Sequence, residues 1–183
     1  MTPRPFAVCV YCSSSTTDPV QLALATSVGT EIARRGWQLV SGGGHVSMMG
    51  AVAAAARAGG AETIGVIPKH LVHREVADVE SDELVVTDTM RQRKEVMENR
   101  ADAFLTLPGG IGTLEEFFEA WTGGHLGQHN KPMVVLDAGG HYDGLFAWLG
   151  ELLDRGFVPQ VALDRVTVTA DLEEAFTALC RSQ

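Results

Sequence analysis

The chain has 183 residues, 45% apolar and 20% charged, which fits one globular domain with a substantial core and excludes a disordered or low-complexity protein. Its 14 basic residues stand against 23 acidic ones, a net charge of −9, so it lacks the broad positive field that nucleic-acid binding uses and no nucleic-acid partner is expected. A small anionic ligand would need a local positive site.

From Met1-Thr-Pro-Arg-Pro the chain enters a strand pattern directly, without the charged and apolar regions of a signal peptide. No stretch reaches the ~18 consecutive apolar residues of a membrane span, so the expectation is a cytoplasmic protein with no membrane partner. Cys9, Cys12 and Cys180 form no even disulfide framework. Cys9 and Cys12 make a C-x-x-C, but they lie in the strand-like run Phe6 to Cys12, where residues three apart point to opposite faces. They read as two unbridged thiols rather than a zinc or redox pair.

The strand ends in the polar turn Ser13-Ser-Ser-Thr-Thr-Asp18-Pro19, and a helical stretch runs from Val20 to Arg35. Hydroxyls at the carboxyl end of a strand line the crevice where open α/β sheets bind ligands; a plain loop with a helix cap fits the same residues. A second strand, Trp37 to Val40, enters Ser41-Gly42-Gly43-Gly44-His45-Val46-Ser47-Met48-Met49-Gly50, before the helix-forming Ala51 to Ala58. A Gly-rich turn at a helix start offers backbone N–H groups and a favourable dipole to an anion. It is not a dinucleotide fingerprint: the third glycine of G-x-G-x-x-G falls on Ser47, and Glu62 begins the next strand instead of ending it.

A third strand, Thr63 to Ile67, stops at Pro68, and the polar loop Lys69 to Glu83 carries His70, His73, Arg74 and Glu75. Its length is that of a binding loop or lid. The two histidines have no cysteine or carboxylate constellation around them. His125 and His129 share helical spacing, but Gly123, Gly124 and Gly127 argue against a rigid helix, so no metal site is expected.

After the strand Leu84 to Thr87 comes a helix, Thr89 to Arg100, with Met90, Arg93 and Met97 near one stripe. Arg93 either snorkels to the surface or, with Lys94, supplies the local positive charge. The strand Ala103 to Leu107 then meets Pro108-Gly109-Gly110, and a helix follows with Leu114, Phe117, Phe118 and Trp121 at i, i+3, i+4, i+7. Thr113 and Glu116 spell T-x-x-E, a capping box; both a capping and a catalytic Glu116 fit the spacing. The strand Met133 to Leu136, a helix from Tyr142 to Asp154, the strand Val166 to Thr169 and a helix from Asp171 to Cys180, capped by Asp171 with Glu174, complete the chain. This alternation predicts a single domain over 1–183, a doubly wound, mainly parallel α/β sheet with helices on both faces. Its turns would share one crevice at the carboxyl ends of the strands.

The run Met90-Arg91-Gln92-Arg93-Lys94, followed by Pro108-Gly-Gly-Ile-Gly-Thr-Leu-Glu-Glu116, resembles the LOG (Lonely Guy) family of cytokinin riboside 5′-monophosphate phosphoribohydrolases, whose pattern is R-K and then P-G-G-x-G-T-x-x-E. Val8 to Ser15, Ser41 to Gly44, Gly65 to Lys69 and Leu126 to Pro132 are similar to family segments in the same order. Ser47 stands where the family's first loop usually has glycine, and Ile111 where tyrosine is frequent. The resemblance implies a Rossmann-like fold that cleaves the N-glycosidic bond of a nucleoside 5′-monophosphate, an N6-modified or plain adenosine monophosphate, to free base and ribose 5-phosphate. It carries catalytic roles onto Arg93 and Glu116, and substrate contacts onto Glu75, Lys94, Gly109, Gly110, Ile111, Gly112, Thr113, Leu114, Glu115 and Thr122. It also implies a homodimer with its site near the subunit interface, and many relatives carry an old label as lysine decarboxylases.

The chemistry fits these residues. Breaking a ribosyl bond builds positive charge on the sugar, which a carboxylate such as Glu116 can stabilise or serve as base or nucleophile. Arg93 could meet the leaving purine or position other groups, and the Gly-rich turns with Ser13, Gly43 and Gly44 would hold the phosphate, with neither metal nor cofactor. A pyridoxal phosphate decarboxylase would need a Schiff-base lysine, and of Lys69, Lys94 and Lys131 two adjoin prolines. A non-catalytic nucleotide or molybdenum-cofactor carrier would keep the glycine turns without needing Arg93 and Glu116 together.

Overall fold

The computed structural model describes residues 4–73 and 76–181. Along them run β1 (Ala7–Tyr11), α1 (Pro19–Arg34), β2 (Gln38–Ser41), α2 (Ser47–Ala58), β3 (Thr63–Pro68), β4 (Glu83–Thr87), α3 (Met90–Arg100), β5 (Ala103–Thr106), α4 (Ile111–His125), β6 (Met133–Leu136), α5 (Asp143–Asp154), α6 (Gln160–Leu163), β7 (Val166–Thr169) and α7 (Leu172–Leu179). The strands form one parallel sheet in the order β4-β3-β2-β1-β5-β6-β7. Chain direction across the sheet reverses between β1 and β5, so the switch point where such sheets bind ligands lies between Ser13 and Pro108. There the Ser13 N–H donates to the Pro108 carbonyl at 3.2 Å.

Alternation along each strand divides the core into two layers. In β1, Val8 and Val10, with Cys12 just beyond, pack with α1, α2 and α7, while Ala7, Cys9 and Tyr11 pack with α3, α4 and α5. Cys9 and Cys12 are therefore on opposite faces, and all three cysteines are unbridged. None of the described helices is long and apolar enough to cross a membrane.

The long segment after β3 has a topological cause. Parallel neighbours need a crossover of roughly a dozen residues or more, and the described residues between β3 and β4 include no α-helix. The crossover is fastened to the glycine turn after β2: the Asp78 N–H donates to Gly43 O at 2.8 Å, the His45 N–H to Val76 O at 2.7 Å, and the buried Asp78 carboxylate pairs with Arg57 at 2.7 Å.

One element and one helix start in this part of the fold differ from expectation. The single turn α6, after Pro159, is too short to show helical periodicity. The second helix starts at Ser47, earlier than Ala51, and Ser47 takes φ +54°, the left-handed conformation that glycine favours. Its hydroxyl donates to the Thr16 carbonyl at 2.8 Å, tying the first glycine turn to the serine turn. Ser47→Ala keeps the backbone strain and loses that bond, so thermal unfolding should show a loss of about 1 kcal/mol, a lowering of about 2–4 °C. Ser47→Gly loses the bond but relieves strain of similar size and should stay within about 0.5 kcal/mol of the native protein.

Candidate active site

The strand β5 delivers the chain to Pro108-Gly109-Gly110, and α4 begins at once. Its N-cap is Gly110, and no side chain caps the first turn. The expected capping box is therefore absent: Thr113 lies inside the first turn and Glu116 in the second. A glycine cap is tolerated at little cost, and it leaves the first N–H groups of α4 to whatever sits before them. Gly109 allows this tight entry, since a Cβ there would lie 2.1 Å from Thr113 Oγ1.

The turn is held from behind by residues that no motif announced. The Tyr142 hydroxyl donates to Leu107 O at 2.9 Å, and His141 Nε2 lies 2.8 Å from Gly109 O, which requires the proton on that nitrogen. Asp137, at the end of β6, accepts from the backbone N–H groups of His141 and Tyr142 at 2.8 and 2.7 Å. Asp137 at a strand end was the one available sequence signal.

Arg93 enters from α3, whose start is fixed by a capping box between Thr89 and Gln92. Snorkelling is excluded, because Arg93 is only 4% exposed. Its Nε donates to Val66 O at 3.0 Å and its Nη2 to Gly42 O at 2.8 Å, so one guanidinium joins the carboxyl ends of β2 and β3. Any side chain at position 42 would displace it, since a Cβ there would lie 2.2 Å from Nη2. Nη1 stands 3.9 Å from Glu116 Oε1, and the two side chains are 5% and 12% exposed.

These groups border a cavity of about 150 Å³. One wall is Cys12 to Ser15, the other Gly110 to Thr113, with Met49, Arg93 and Glu116 completing it. Pockets that enclose a whole ligand run to ~300–1,000 Å³, so this one is smaller than such a pocket, and Ile111 in its lining is 89% exposed. Ser13 Oγ accepts from the N–H groups of Ser15 and Thr16 at 3.2 and 3.1 Å, which shapes the serine wall without using the hydroxyl proton. Burial first, and then the Glu116 charge, push the Cys12 thiol well above its ordinary range, so it lines the floor as a neutral group.

Other expected site residues lie elsewhere. Gly43 and Gly44 are outside this lining: Gly43 packs against the backbone of β3 at φ +73°, and Gly44 bridges to Ala77. Leu114 packs into the core layer beside α4, whereas Lys94 is paired with Glu115 and Glu119. Thr122 is exposed on α4, in a groove with Phe118, Trp121, His125 and Leu149. Glu75 is outside the described residues. The glycines expected to weaken the helix at His125 do not: α4 runs through Gly123 and Gly124, both buried, and ends where Gly127 takes φ +80°. Tertiary packing beside His129 and Arg165 overrides propensity there.

Comparison with known proteins gives a consistent set of relatives. A family profile described as "Possible lysine decarboxylase" matches residues 49–179. A protein of Mycobacterium marinum named cytokinin riboside 5′-monophosphate phosphoribohydrolase is 58% identical over 176 residues, covering 96% of this chain and 94% of that one. A Mycobacterium tuberculosis protein of the same name is 57% identical, with 97% and 95% covered. Among solved structures, the molybdenum cofactor carrier protein from Chlamydomonas reinhardtii superposes with a TM-score of 0.71 at 25% identity, covering 96% of both chains.

Proposed function

The chain belongs to the LOG family of cytokinin riboside 5′-monophosphate phosphoribohydrolases, and on that premise we propose that it hydrolyses N6-modified adenosine 5′-monophosphates to free base and ribose 5-phosphate. The observation that carries this reading is the burial of Arg93 beside Glu116 at the edge of an uncapped helix start. The 5′-phosphate lies against the first N–H groups of α4 and the Ser13 hydroxyl, where the helix dipole offsets its charge. Glu116 then faces the ribose. As the bond between C1′ and the purine nitrogen breaks, its electron pair leaves with the base and positive charge grows on the sugar, which the carboxylate stabilises. Water adds to C1′, and one of its protons ends on the departing base. Arg93, anchored by two carbonyls, places its positive charge 3.9 Å from the Glu116 carboxylate and aims it. Every step uses side chains, backbone and water, so the reading includes no metal or cofactor.

The carrier-like superposition supports a second reading, in which the pocket only holds a ligand. Product analysis separates the two. Adenosine, isopentenyladenosine and zeatin riboside monophosphates are each incubated with the native protein, and chromatography is expected to show free base with equimolar ribose 5-phosphate. No base from any of the three favours the carrier.

The same reading makes the protein a cytoplasmic homodimer. Thr122, a family substrate position, is on an exposed apolar groove of α4 away from the Arg93–Glu116 pocket, as a residue shared across an interface would be. Sedimentation equilibrium should give a particle of twice the chain mass. A monomer at micromolar concentration would remove the dimer from the proposal.

A further inference from the structure

A second cavity, of about 330 Å³, adjoins the one beside Glu116 and shares Ser13 and Gly110 with it. His141 lines only the second cavity, and Glu116 only the first. The Gly109–Gly110 peptide thus stands between an imidazole on one side and the carboxylate on the other. The ring is set from its own loop. Gly140 takes φ +70°, Asp137 accepts the His141 N–H at 2.8 Å, and the imidazole meets the Tyr142 ring edge-on, with centroids 4.6 Å apart.

Every backbone polar group from Leu107 to Gly109 has a partner. The Leu107 N–H donates to Tyr11 O at 2.9 Å, and Pro108 O accepts from the Ser13 N–H at 3.2 Å. The Tyr142 hydroxyl donates to Leu107 O at 2.9 Å and accepts from the Gly109 N–H. The remaining group, Gly109 O, is taken by His141 Nε2 at 2.8 Å. Tyr142 therefore fixes where the turn lies, and His141 fixes how its last peptide is rotated. That peptide is flanked by two glycines, so side-chain sterics resist its rotation little. In a trans peptide the C=O and the N–H point in opposite directions. With Gly109 O held by the ring, the Gly110 N–H faces away from His141, at the uncapped start of α4. We propose that His141 is a positioning residue whose Nε2–H holds the Gly109–Gly110 peptide in the orientation that presents the Gly110 N–H to the substrate's phosphate. This rests on the phosphate placement in the hydrolase reading above.

The test compares two substitutions at an exposed position, where the fold has little to lose. His141→Phe keeps a ring against Tyr142 and removes the donor, whereas His141→Gln offers an amide N–H to the same carbonyl. Ribose 5-phosphate is the probe, because it carries the phosphate and is not consumed. By calorimetry its affinity should fall about tenfold in His141→Phe, the worth of one hydrogen bond to a charged group, and return to within about threefold of native in His141→Gln. With nucleotide substrate, His141→Phe should raise KM about tenfold and leave kcat within about threefold, since the phosphate is held alike in the ground and transition states. Unchanged ribose 5-phosphate affinity in His141→Phe, or a loss that His141→Gln does not restore, overturns the proposal; so does a fall in kcat at unchanged KM. A native protein that binds ribose 5-phosphate but releases no base refutes the hydrolase reading alone, because the binding measurement needs no turnover. A native protein that does not bind ribose 5-phosphate removes the phosphate placement and this inference with it.

Discussion

Glu116→Gln should lower kcat for base release by about 10³-fold or more while the protein stays folded. Glutamine has nearly the same shape and keeps one oxygen toward Arg93, but it cannot balance positive charge on the ribose or take a proton. The substitution is cleaner than the motif suggested. Because α4 is capped at Gly110, Glu116 has no capping duty to lose, and its exchange should change stability by only about 1–2 kcal/mol. Circular dichroism and phosphate-ligand binding by calorimetry should match the native protein. Hydrolysis within tenfold of native in the folded variant would remove Glu116 from the chemistry.

Arg93→Ala should lose both activity and stability. The side chain satisfies two buried carbonyls, Val66 O and Gly42 O, and lies beside a nearly buried carboxylate. Leaving each carbonyl unpaired costs about 1–3 kcal/mol, and the cavity and the lost attraction to Glu116 add to that. A total of about 3–6 kcal/mol corresponds to a melting temperature lowered by about 6–20 °C in a chain of this size. Arg93→Lys restores the charge but not the fork that bonds two strands at once, so it should recover part of the stability and little of the rate. An alanine variant that melts within 2 °C of native would show that the two carbonyl bonds are not holding β2 and β3 together.

Sheet and helices were legible because apolar runs and glycine turns alternate clearly from Phe6 to Thr169. Arg93 was legible as a residue on the wrong side of its helix, though only burial decides between a snorkelling and an inward arginine. The T-x-x-E pattern misled because capping boxes are local rules: Gly110 starts α4 earlier, and the entry is shaped by Gly109 against Thr113 and by the distant His141 and Tyr142. Those bonds span 32 and 35 residues, a separation at which no periodicity or spacing rule operates. Gly43 and Gly44 illustrate the converse, a motif whose residues are spent on holding a crossover in place.

The junction of Ser13 with Pro108 joins stretches of chain from opposite ends of the folding problem. The serine wall belongs to the first βα unit and the glycine wall to the fifth strand, and they meet only when β1 and β5 pair, Val8 opposite Ala103 and Tyr11 opposite Thr106. Pairing across such a separation is slow, since a large loop must close before any contact rewards it. Recovery of activity during refolding should therefore trail the recovery of helical signal, and a nascent chain lacking β5 has the serine wall but no cavity. The two walls face each other only once β5 has joined β1.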